Sequence, residues 1–105
     1  MMMTPQLLPD DFLNQMAEII KLIGHPQRLR ILEFLDIHGE SPVGMIVEGI
    51  KAPQGAVSQQ LNRMRMAGII SCRRDGRQVL YQIAAVNAIT ILNCLREKYK
   101  KMKMK

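Results

Sequence analysis

At Gly68 the hydrophobic period of this chain changes. In the preceding stretch, "PQGAVSQQLNRMRMAG", Val57, Leu61 and Met64 recur at i, i+4 and i+7, the spacing of one helix face. After it, "IISCRRDGRQVLYQI" alternates, with Ile70, Cys72 and Arg74 set against Ser71 and Arg73, then Val79, Tyr81 and Ile83. The Asp75-Gly76 pair between the two runs is a strong short-range hairpin signal. A turn centred on that pair places Cys72 opposite Val79 and Ile70 opposite Tyr81.

The upstream segments narrow the choice. In "PDDFLNQMAEIIKLIG", Asp10 or Asp11 is placed to cap a helix, and Phe12, Met16, Ile19, Ile20 and Ile23 recur before Gly24. "HPQRLRILEFLDIHG" has Pro26 in a first helical turn, a stripe of Leu29, Leu32 and Leu35, and Gly39 as its stop. Ser41 is placed to cap a third helix, "SPVGMIVEGIK". Its two glycines each cost ~1 kcal/mol against alanine, so packing has to hold it. The fourth helix runs from Pro53 to Gly68. The last, "VNAITILNCLREKYKKM", carries Ala88, Ile91, Leu92, Leu95, Tyr99 and Met102 close to a heptad seam, a pattern that packs on another helix. The order ααααββα predicts a mainly α (α+β) fold, a winged helix-turn-helix, as one domain over 1–105 with a basic tail at 100–105.

Charge points to a polyanion. The 105-residue chain carries a net charge of +6, unevenly spread. Residues 1–50 hold three bases and seven acids, residues 51–77 six bases and one acid, and residues 96–105 again six bases and one acid. A basic block on a small domain suits nucleic acid. No segment approaches the ~20 consecutive apolar residues that span a membrane. The acidic start, "MMMTPQLLPDDF", is unlike a secretory signal, and two cysteines make no disulfide framework, so a cytoplasmic location is expected.

Opposite Val57, Leu61 and Met64, the fourth helix presents Gly55, Ser58, Gln59 and Asn62, flanked by Gln54 and Arg63. Gln and Asn offer a donor and an acceptor together and can read base edges in the major groove. Ser can bond a base or a phosphate, and a glycine lets backbones approach. Arg73, Arg74 and Arg77 surround the hairpin tip, where a wing brings charge to the DNA backbone or minor groove. Double-stranded DNA is the expected partner.

Taken together, "HPQRLRILEFL", "AVSQQLNRMRMAGII" and "RRDGRQVLYQI" resemble the ArsR/SmtB family of bacterial winged-helix repressors, over about residues 12 to 100. The resemblance implies a homodimer formed by the first and last helices on an imperfect palindromic operator, released by an inducer. Phe12, Met16 and Ile19 with Leu92, Leu95 and Tyr99 are the seam candidates, some of them shared with the protein's own core.

The departures matter as much. Metal sensors of the family place cysteines where Pro42, Gly44 and Val47 stand, or Asp, His and Glu where Ala85, Asn87, Lys98 and Lys101 stand. Neither set here can hold a cation, and the two lysines repel one. No metal and no cofactor is expected. His25 precedes a helix and His38 ends one, which suits helix-end roles. Thiol sensors of the family pair a cysteine of the second helix with one of the last. Cys94 lies in the last helix, but the second has none, and Cys72, in the hairpin, is placed to face the core. Structural thiols are the expected reading, with a redox switch through Cys94 as the alternative. Pro53 and Gly55 replace serines common in the family, and Gln60 replaces a frequent histidine, so the operator is expected to differ. The tail "REKYKKMKMK" is read first as a frayed end, with reaching phosphates or raising general DNA affinity as the alternatives.

The leading expectation is a dimeric DNA-binding repressor. A regulator that needs no inducer and antagonises another DNA-binding protein competes with it, as does a winged helix kept only for protein interaction. An enzyme is not expected, because two lone histidines without paired acids supply no catalytic constellation.

Overall fold

The computed structural model describes residues 6–104. The first residues of the acidic start and the last lysine of the tail lie outside them. Five helices and a three-stranded antiparallel sheet follow in the order α1 (Asp10–Ile23), α2 (Pro26–His38), β1 (Ser41–Pro42), α3 (Val43–Ile50), α4 (Gln54–Met66), β2 (Ile70–Asp75), β3 (Gln78–Ile83) and α5 (Val86–Lys103). The helix-turn-helix is α3 and α4, and the wing is β2 and β3. One core joins them, built on Ile23, Ile31, Leu32, Leu35, Ile46, Val57, Leu61, Met64, Ile69, Ile70 and Ala88.

The helix ends depart from the sequence reading in three places. Asp10 and Asp11 do not cap α1; Pro9 holds the cap position, and both acids lie inside the first turn, where they face the positive end of the helix dipole. Ser41 does not cap α3 either. It is buried in β1, its hydroxyl donating to the Gly39 carbonyl at 2.9 Å, and Pro42 takes the cap position. Two residues are too short a strand to leave a periodic signal, and a proline is tolerated there because β1 is an edge strand beside β3. The tail is not frayed over its described length. Helix α5 continues to Lys103, since Lys and Met are good helix formers and the terminal bases suit its negative end. The Lys103 ammonium lies 5.9 Å from the Tyr99 ring centre.

The hairpin forms, but two residues out of the expected register. Cys72 pairs with Tyr81, Ile70 with Ile83, and Asp75 with Gln78, so the turn residues are Gly76 and Arg77. Gly76 has φ +64° and Arg77 is not left-handed, the pattern of a turn that needs glycine first. A shift of two keeps every side chain on its face, and Tyr81 and Ile83 still pack on the core.

The glycines of the weak α3 have different reasons. A Cβ on Gly49 would sit 2.1 Å from Cε2 of Phe34, so only glycine lets α3 lie this close to α2. A Cβ on Gly44 would meet nothing within 4 Å. Helix α4 ends in a Schellman motif: Gly68 N–H donates to the Arg65 carbonyl and Ile69 N–H to that of Met64, and the chain turns directly into β2.

Candidate nucleic-acid interface

Helix α4 divides as its sequence periodicity requires. Val57, Leu61 and Met64 are buried, while Gln54, Gly55, Ser58, Gln59, Asn62 and Arg63 are exposed. The packing of α4 on α3 and β2 therefore aims the polar face outward. Pro53 caps α4 through its carbonyl, which accepts from Val57 N–H at 3.0 Å, but no side chain covers the first amides. The N-terminus thus offers free N–H groups and a positive dipole end, an arrangement that favours phosphate. A Cβ on Gly55 would meet nothing within 4 Å, so packing inside the protein does not call for a glycine there.

Three residues join this surface that the sequence did not single out. Arg65 donates to Oδ1 of Asn62 at 2.9 Å, and the Asn62 amide lies 4.0 Å from the sulfur of Met66, itself 75% exposed. Asn62 is thus oriented by side chains of its own helix. Lys51 sits in the turn between α3 and α4 with φ 55°, a left-handed conformation uncommon outside glycine. It stands three residues before α4 begins. Helical spacing from Asn62 would have indicated Arg65; nothing local marks Lys51 as left-handed. Gln60 is half-buried and faces inward, accepting from Nε of Arg28 at 2.6 Å.

The wing arginines are not equivalent. Arg73 makes a bidentate pair with Glu40, Nε to Oε2 at 2.7 Å and Nη2 to Oε1 at 2.8 Å, reaching across β3. These hydrogen bonds hold the Glu40 carboxyl below its ordinary value and the Arg73 guanidinium above its own. The pair is therefore intact at neutral pH and is lost only as pH falls through the lowered Glu40 value. Arg74 and Arg77 make no side-chain hydrogen bond or ion pair among the described residues. In Glu40→Gln, Arg73 should become available to phosphate. A salt titration of duplex binding is expected to steepen by about one contact, and an unchanged slope would assign Arg73 to anchoring alone.

Of the seam candidates, Ile19 packs on the core and Leu92 is buried, and Met16 is half-buried. Phe12 remains 44% exposed, Leu95 46% and Tyr99 63%. Leu92, Leu95 and Tyr99 line an open groove of about 560 Å³ between α2 and α5, with Leu29 opposite. Cys72 does not face the core: both it and Cys94 are exposed free thiols. Cys72 alternates with the buried Ile70 along β2, yet it is exposed. His25 caps α2, its Nδ1 accepting from Gln27 N–H at 3.2 Å, and His38 stacks on Phe34 with ring centres 4.3 Å apart. Among the described residues no three His, Cys, Asp or Glu side chains gather to hold a metal ion, and no helix is long and apolar enough to cross a membrane.

Comparison with known proteins identifies the family and the fold. Residues 25–71, from the cap of α2 into β2, match the family described as bacterial regulatory protein, arsR family. The biofilm growth-associated repressor of Xylella fastidiosa is 34% identical over 82 residues, covering 78% of this chain and 71% of that protein. The AntR antimony-specific transcriptional repressor shares the fold with a TM-score of 0.87 at 21% identity, over 96% of this chain and 91% of its own. A homodimeric winged helix-turn-helix DNA-binding domain from Mycobacterium bovis superposes with a TM-score of 0.74 at 23% identity, over 90% of each chain. The chain belongs to the bacterial ArsR family: it is a winged helix-turn-helix, DNA-binding regulator of transcription and not an enzyme.

Proposed function

We propose that this protein is a cytoplasmic homodimeric repressor whose α4 enters successive major grooves of an imperfect palindromic operator. The observation that carries the reading is the exposed Gln59–Asn62 face, held outward by Val57, Leu61 and Met64. Gln59 and Asn62 meet base edges, Ser58 bonds a base or a phosphate, and Gly55, with Gln54 beside it, lets the backbone approach. Arg63, Arg74 and Arg77 hold phosphates, with Arg73 added when Glu40 releases it. Phe12, Leu95 and Tyr99 supply the apolar surface that a second copy covers, extending the seam begun by Met16, Ile19 and Leu92. The homodimeric state of the Mycobacterium bovis domain supports this arrangement, and the name of the Xylella protein supports repression.

Regulation proceeds without the metal sites of metal-sensing relatives, because Pro42, Gly44, Val47, Ala85, Asn87, Lys98 and Lys101 supply no ligand set. The exposure of Cys72 and Cys94 favours one second reading, release by thiol oxidation. Capture of genomic duplex fragments, the protein's own promoter first, tests both. A discrete set of fragments should be retained, and divalent metals should leave it bound. Release by oxidant or polysulfide would select the thiol reading, and retention no better than random DNA would refute operator binding.

A further inference from the structure

Arg28 is engaged in a way that the DNA-facing surface does not explain. From α2 its Nη1 donates to the Leu22 carbonyl near the end of α1 at 2.7 Å, while its Nε donates to Oε1 of Gln60 in the middle of α4 at 2.6 Å. The Leu22 carbonyl needs this donor, because the residue four positions on is Pro26, which has no N–H. Gln60 sits at the edge of the buried stripe of α4, one position from Gln59 and two from Asn62. Arg28 is half-buried, so these bonds are partly shielded from water. Among the described residues no other side chain hydrogen-bonds across α1, α2 and α4.

The packing gives that link its meaning. Helix α4 rests on α3 and β2, whereas α1 rests on α2 and α5. Arg28 is the polar strut between the two groups. A guanidinium is a planar fork with fixed donor directions, so it constrains an angle as well as a distance.

We propose that Arg28 is a positioning residue that sets the angle of α4 to α1, and through it the half-site separation the protein prefers. The inference rests on the dimeric operator reading above. With the second copy held on α1 and α5, the angle of each reading helix to α1 fixes the distance between the two. That distance has to match about one turn of duplex.

The test uses the duplex that the parent protein enriches from a random pool, a scrambled control, and the same duplex with one base pair added or removed between its half-sites. Arg28→Lys keeps the charge but cannot hold both acceptors in one plane, and Gln60→Met keeps the length and removes the acceptor. Below the melting temperature, each variant should lose preference for the selected duplex over the scrambled one by about tenfold, the cost of one mismatched pair. The double variant should lose no more than either single. Respaced duplexes, which weaken the parent, should weaken the variants less, while scrambled-duplex affinity and its salt slope stay unchanged. Spacing preference like the parent's would overturn the assignment. So would an equal loss on both duplexes, which would make Arg28 a fold or phosphate residue. If the parent itself enriches no duplex, the operator reading falls and this inference falls with it.

Discussion

Leu61→Ala is expected to cost the fold about 2–5 kcal/mol. Leu61 is fully buried in the middle of α4, between Val57 and Met64. Truncation removes its transfer free energy and leaves a cavity that α3 and β2 cannot close without moving the reading helix. Small domains hold only about 5–15 kcal/mol in total, so the loss is a large share of stability. Urea unfolding should show a lower midpoint with an unchanged slope. A cost below about 1 kcal/mol would mean that α4 is not anchored through this residue. The same variant, kept cold enough to stay folded, should bind duplex less selectively, because the helix that reads is the helix that packs.

The second large effect separates reading from holding. Asn62→Ala should relax discrimination at one base pair by about 1–3 kcal/mol, with little change in affinity for unrelated duplexes. Arg74→Ala should do the reverse, weakening all duplexes alike and lowering the salt slope by about one. The contrast follows from placement. Asn62 is oriented on α4 by Arg65, whereas Arg74, on the wing, pairs with no side chain among the described residues. Equilibrium titrations at several salt concentrations against selected and scrambled duplexes measure both. Parent-like behaviour by the two variants would remove the groove assignment altogether.

Much of this was legible in the sequence because it is local. The stripe of Val57, Leu61 and Met64 marked which face of α4 is buried and which is exposed, and the change of period at Gly68 marked the helix end and the wing. What was not legible depends on contacts far apart in the chain or on single backbone angles. The two-residue β1 has no period, and Ser41 therefore looked like a cap. The Asp75-Gly76 pair fits two turn registers, and the positive φ of Gly76, not shared by Arg77, distinguishes them. Arg73 looked like a free wing cation because Glu40 is 33 positions away, and Arg28 looked like an ordinary surface base because Gln60 is 32 away. Cys72 looked buried because it alternates with Ile70, yet it is exposed.

The central claim is that α4 lies in the major groove, and methylation interference addresses it most directly. Guanine N7 is exposed only in that groove, so methylating it blocks a helix seated there. Interference is predicted in two clusters about one helical turn apart. Binding indifferent to N7 methylation throughout the selected duplex would contradict the account.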